Sequence, residues 1–133
     1  MPALVADTHA LIWYFHDQDR LSTKALAALD QATAAGDSIG LPTIAIVEIC
    51  YLVEKGKLPE AALLRVISEM EREDSVLAVV SLDSNIARAV REIPRDLVPD
   101  MPDRIIAATA FHLGLPLVTR DAQIRSANIT TIW

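Results

Sequence analysis

The chain has 133 residues, 52% of them hydrophobic, and a net charge of −6, which excludes a disordered segment and argues against a surface that binds nucleic acid by bulk charge. No stretch reaches the roughly 18–20 uninterrupted apolar residues of a membrane span, and the first residues carry no basic run of the signal-peptide kind. The one cysteine, Cys50, sits among apolar residues as a small hydrophobe in a reducing compartment, so the expected location is the cytoplasm and the expected organisation is a single domain over residues 1–133.

Residues 4–6 form a short apolar run that predicts a buried parallel strand ending at Asp7, with helical segments after it. Ser22 or Thr23 is expected to cap a helix through Ala35, stopped by Gly36. Residues 38–41 predict a second strand. Thr43 is expected to cap a helix to about Lys55, ended by Gly56. Pro59 suits the first position of the next helix, whose apolar residues are Ala62, Leu63, Val66, Ile67 and Met70. Residues 76–82 predict a strand, and Asp83 or Ser84 a helix to about Ile93. Pro94, Pro99 and Pro102 mark a loop, because proline lacks a donor and restricts its predecessor. A helix over 103–113 stops at Gly114, a strand follows over 115–118, and a short turn leads to a last strand over 129–133. This alternation implies an α/β fold, a central parallel sheet flanked by helices on both faces.

Four carboxylates stand out. Asp7 follows the first strand and Asp121 follows the strand over 115–118, so both should open onto the carboxyl edge of the sheet, where parallel sheets bind ligands. Each, taken alone, is also an ordinary helix cap or turn residue. Glu48 is the only charge between Ile44 and Val53. A helix apolar on nearly all sides should be buried, and a buried carboxylate needs a cation, a proton or a metal. An ion pair with Arg or Lys is the plain alternative. Asp103 opens a helix and reads equally as its N-cap, while Asp100 reads as a loop residue or one supporting the others from behind. If the four converge, pairs at 4 Å repel by about 4 kcal/mol at an effective dielectric of about 20. Oxygen-only ligands suit Mg²⁺ or Mn²⁺, and such cations serve phosphodiester hydrolysis.

Other residues are weaker candidates for substrate contact or support. His9 lies two residues after Asp7, but imidazole is uncommon on hard cations. Thr119 offers a hydroxyl for a metal-bound water, or equally for backbone. Arg104 and Arg120 adjoin carboxylates and are candidates for phosphate contact or for salt bridges. His16 and His112 have no partner at metal spacing. No phosphate-cradling glycine loop, zinc pattern or serine triad is present.

Asp7-Thr8-His9-Ala10-Leu11-Ile12-Trp13 resembles the opening motif of PIN-domain proteins, in particular VapC-type toxins of toxin–antitoxin pairs. Glu48 stands where that family has its helical Glu. Residues 102–108 resemble its third motif, Leu117-Val118-Thr119-Arg120-Asp121 its fourth, and residues 129–133 its closing strand. The likeness spans essentially the whole chain in order. It departs where many relatives read His-Arg-Asp-Pro, since Leu97-Val98-Pro99-Asp100 stands here instead. The resemblance implies a PIN-like fold and a metal-dependent endoribonuclease using Asp7, Glu48, Asp103 and Asp121. It also implies a single-stranded or structured RNA substrate, a homodimer and a cognate antitoxin protein.

Two other classes compete. One is a PIN-fold binding module without activity, disfavoured because all four carboxylates are intact. The other is a receiver-like signalling domain with Asp83 as phospho-acceptor, which would need a Lys late in the chain where none follows Lys57. A phosphatase opening with Asp-x-Asp is a poor match, because His9 occupies the second Asp position.

Overall fold

The computed structural model describes residues 2–133. Five strands form one fully parallel sheet in the order β3-β2-β1-β4-β5. They are β1 Pro2–Ala6, β2 Ser38–Pro42, β3 Leu77–Val80, β4 Leu117–Val118 and β5 Thr131–Ile132. The helices are α1 Thr8–His16, α2 Thr23–Ala34, α3 Thr43–Glu54, α4 Glu60–Glu71, α5 Ser84–Ala89, α6 Met101–Leu113 and α7 Ala122–Arg125. Single 3-10 turns at Gln18–Arg20 and Val90–Glu92 link some of them.

The sheet is covered on both faces, as the alternation of elements implies. Successive side chains of a strand point to opposite faces, so β1 sends Leu4 and Ala6 one way and Val5 the other. Leu4 and Ala6 join a core with α1, α2, α3 and α4, built on Leu11, Leu29, Ile39, Leu41, Ile49 and Val66. Val5 joins a second core with α5, α6 and α7, built on Ile86, Ile106, Leu117 and Ile124. Gly40 lies at the β2–β1 contact, where a Cβ would stand 3.1 Å from the Leu4 carbonyl oxygen. A side chain there would be tighter than most Cβ contacts, and the neighbouring strand would have to shift slightly to take it. No helix among the described residues is long and apolar enough to cross a membrane.

Ser22 caps α2 through its side chain, and the predicted stops Gly36, Gly56 and Gly114 all take positive φ. Other boundaries shift. Thr43 does not cap α3; Pro42 occupies that position, and the Thr43 hydroxyl accepts the Leu82 amide at 3.2 Å, tying α3 to the segment after β3. Pro59 precedes α4 rather than opening it. The strands predicted over 76–82, 115–118 and 129–133 are shorter, and α7 occupies what was expected to be only a turn. The helix predicted to run to Ile93 breaks into α5 and a 3-10 turn.

α3 is also less enclosed than its composition implies. Only Ala45 and Ile49 are fully buried, while Val47 and Tyr51 are 48% and 59% exposed. Cys50 is half-buried.

Candidate active site

The order β3-β2-β1-β4-β5 reverses between β1 and β4. Chains leaving the carboxyl ends of these two strands diverge to opposite sides of the sheet and open a crevice between them. Asp7 leaves β1 and Asp121 follows β4. Both line an open cleft of 530 Å³ together with Glu48, Asp100, Asp103, His9, Trp13, Thr119 and Arg120. The structure thus brings all four predicted carboxylates to one cleft and adds a fifth.

Asp7 and Asp121 are placed by hydrogen bonds that their own backbone neighbourhood requires. The first amides of a helix lack intrahelical partners. Asp7 caps α1 by accepting the Ala10 amide at 2.9 Å, and Asp121 caps α7 by accepting the Gln123 amide at 2.9 Å. Thr119, fully buried, accepts the Asp121 amide at 3.1 Å, so its hydroxyl serves the backbone as the simpler expectation had it. Capping and site-forming are therefore compatible roles for these residues.

Asp103 is not an N-cap. Asp100 takes that role, accepting the Asp103 amide at 3.2 Å, and Asp103 lies in the first turn of α6 facing the cleft. Asp100 was expected only as a loop or supporting residue. The Asp-x-x-Asp spacing before an apolar helix was the available signal, because it reads as a cap followed by a first-turn acid. Thr8 was not anticipated at all. Its hydroxyl donates to Glu48 Oε1 at 2.6 Å and ties the start of α1 to the second turn of α3.

The tightest grouping is Glu48, Asp100 and Asp103, each offering a carboxylate oxygen within 4.8 Å of the others. At that spacing each ionised pair repels by roughly 3–4 kcal/mol at an effective dielectric of about 20. Asp7 and Asp121 stand on the same cleft outside this trio. Burial pushes Asp103 up to about 7, with Asp100 and Glu48 adding repulsion. Burial also raises Asp7, partly offset by the Thr119 hydroxyl and the Ala10 amide. Glu48 is raised by burial too, partly offset by its bond from Thr8. Among the described residues the only ion pairs join Arg72 to Glu69 and Asp74, in another part of the molecule. The ion pair weighed for Glu48 is absent from the structure.

The model of the PIN domain family matches residues 4–129. The chain belongs to that family. Ribonuclease VapC22 of Mycobacterium tuberculosis is 27% identical to this PIN protein over 136 residues, covering 100% of both chains. Among solved structures, VapBC2 from Rickettsia felis bound to a promoter DNA fragment superposes with a TM-score of 0.72 at 17% identity, covering 96% of each chain. DNA-bound VapBC from Salmonella typhimurium superposes with a TM-score of 0.70 at 22% identity, covering 98% of this chain and 97% of that one. These superpositions establish a shared PIN-like α/β fold.

The remaining candidates of this PIN domain separate by position. Arg120 is exposed and lines the cleft without an ion pair. His9 is exposed and also lines it. Arg104 is a correction. It is not among the residues lining the cleft, and its guanidinium donates to the carbonyls of Val90 and Ile93 at 2.9 and 2.8 Å, securing the loop that leads into α6. Arg104 makes no salt bridge to the adjacent carboxylate among the described residues. The receiver-like reading fails as well. Asp83 caps α5 beside the edge strand β3 and lines a different groove from the carboxylates, and a receiver of the flavodoxin-like kind has the strand order 2-1-3-4-5.

Proposed function

We propose that this chain is a Mg²⁺- or Mn²⁺-dependent endoribonuclease acting as the toxin of a toxin–antitoxin pair. The observation that carries the reading is a cleft holding five carboxylates with no cationic side chain paired to any of them among the described residues. Such a donor set, all oxygen and anionic, fits a hard divalent cation. Asp7, Glu48, Asp103 and Asp121 are the residues assigned to the metal, with Asp100 adjoining them.

A bound divalent cation would polarise the scissile phosphate and lower the pKa of an attacking water. The protein's own contribution is placement. Thr8 fixes one oxygen of Glu48, the Ala10 amide fixes Asp7, and Thr119 and the Gln123 amide fix the segment carrying Asp121. Asp103, whose carboxyl is pushed up to about 7, is a residue that would give up its proton to hold a cation. Arg120 supplies a guanidinium at the mouth for a phosphate oxygen. An inactive binding module would have no need of this preserved acid set. Cleavage of single-stranded RNA by the purified chain with Mg²⁺ or Mn²⁺, lost in EDTA, is the test.

The relative named Ribonuclease VapC22 and the neighbours named as VapBC complexes support RNA as the substrate and an antitoxin as the partner. The cytoplasm is the location this reading requires. The acidic balance suits an antitoxin segment of basic or mixed charge. The exposed Val47, Tyr51 and Leu64 on α3 and α4 suit a twofold interface that covers apolar surface. Leu63, by contrast, packs inward against the core. Sedimentation equilibrium at micromolar concentration is expected to give twice the chain mass, and Leu64→Glu to shift the dimer toward monomer. A wild-type species at 14.5 kDa would contradict the dimer.

A further inference from the structure

Both tryptophans of the chain meet in one aromatic cluster beside the carboxylate cleft. Trp13 and Trp133 have ring centroids 5.7 Å apart, and the His9 ring also packs against Trp13, its centroid 5.5 Å away at a 48° tilt. His9 and Trp13 line the cleft directly, so the cluster forms part of its wall. Trp13 is only 8% exposed and acts as the backing, whereas His9 is exposed. Arg20 completes the group, its guanidinium carbon 5.1 Å from the Trp13 ring centroid.

The state of Arg20 is informative. It is exposed and has Asp17 and Asp19 as near neighbours in sequence, yet it makes no ion pair among the described residues. Resting on an aromatic face orders the guanidinium while its N–H groups remain unpaired to protein acids. Arg120, which lines the cleft, likewise has no ion pair among the described residues. On a chain of net charge −6, a polyanion gains little from the surface as a whole and depends on local cations of this kind. Single-stranded nucleic acid is held by combining such cations with aromatic faces on which bases stack.

We propose that His9 and Trp13, on the wall of the carboxylate cleft, form a nucleotide-holding platform together with Arg20, which rests on the Trp13 ring. It takes one unpaired base of a single-stranded RNA on the His9 ring and an adjacent phosphate on the Arg20 guanidinium. This assignment rests on the ribonuclease reading and deepens it, by naming where the strand is gripped beside the reacting phosphate. It also explains how an acidic protein holds RNA locally.

The site carries its own reporter, since both tryptophans lie in it. Titrating a short single-stranded RNA into the full chain, with Ca²⁺ replacing Mg²⁺ so that binding is read without turnover, is expected to quench tryptophan emission. His9→Ala and Arg20→Gln should each weaken binding about tenfold. His9→Phe, which restores a stacking face, should recover it. Both positions are exposed, so circular dichroism melts should match wild type. RNA binding that leaves tryptophan emission unchanged, or both loss variants binding within roughly twofold of wild type, would overturn the platform. A wild-type chain that cuts RNA while the variants bind normally removes the platform alone. A wild-type chain that neither binds nor cuts RNA removes the ribonuclease reading with it.

Discussion

Asp7→Asn is expected to reduce RNA cleavage to the uncatalysed background and to weaken Mn²⁺ binding by about a hundredfold or more. Loss of a residue that merely supports metal ligands already costs about 10–100-fold in affinity, and the assignment of Asp7 is more direct than that. The substitution is nearly isosteric, and Asn is as good an N-cap as Asp. Its side-chain oxygen can still accept the Ala10 amide that holds the start of α1. The fold should therefore survive, and a thermal melt without metal should show no loss of stability. Calorimetric titration of Mn²⁺ into both proteins checks the prediction. Equal affinity in the variant would remove Asp7 from the metal site; a collapsed melt would assign it a purely structural role.

The second large effect concerns the metal-free protein. Asp103 titrates near 7 in the folded state against an ordinary 3.8, chiefly because it is buried and then because Asp100 and Glu48 repel its charge. The folded state therefore keeps a proton that the unfolded chain has already lost. This contribution to stability is fully present below the ordinary value and disappears as pH rises through about 7. Asp103 is only partly buried, so its share is on the order of 1–2 kcal/mol after screening. Asp7 and Glu48 are shifted in the same direction. Chemical denaturation in EDTA is expected to show lower stability at about pH 8 than at about pH 5.5.

Glu48→Gln should raise the metal-free melting temperature at the higher pH and flatten this dependence, because it removes one of the repelling charges while leaving an oxygen to accept the Thr8 hydroxyl. The same variant should lose cleavage, an opposition of stability and function. Added Mg²⁺ should abolish the pH dependence in wild type by replacing the proton with a cation. Stability that rises with pH, or a lower melting point for Glu48→Gln, would mean that the acids are paired to cations rather than repelling one another.

The parts of this molecule that local chemistry dictates could be read before any coordinates. β1 and β2 are apolar runs, the glycines that stop α2, α3 and α6 all adopt positive φ, and Ser22 caps α2. Strand alternated with helix closely enough to imply a parallel sheet, and acids at strand ends implied a cleft at its carboxyl edge. What could not be read depends on distances across the chain. Thr43 has the composition of a cap, but its hydroxyl is drawn to the Leu82 amide, 39 residues away. Arg104 adjoins an acid in sequence, yet it reaches back to Val90 and Ile93. Thr8 meets Glu48 across 40 residues. α7 has four residues, too few for a helical period to show. Asp7, Asp103 and Asp121 are legible because each sits beside a strand end or a helix start, and Glu48 because it is the only charge between Ile44 and Val53. Asp100 holds the capping position that composition alone offers equally to Asp103.

The central claim is that the carboxylate cleft cuts RNA with a divalent metal, and total cellular RNA gives the most direct test. Purified wild-type chain is incubated with it in Mg²⁺, in Mn²⁺ and in excess EDTA, with Asp7→Asn run alongside. The account predicts discrete fragments from the wild type in both metals and intact RNA in EDTA and with the variant. Fragments that persist in EDTA or with Asp7→Asn, or RNA left whole by the wild type in both metals, would contradict it.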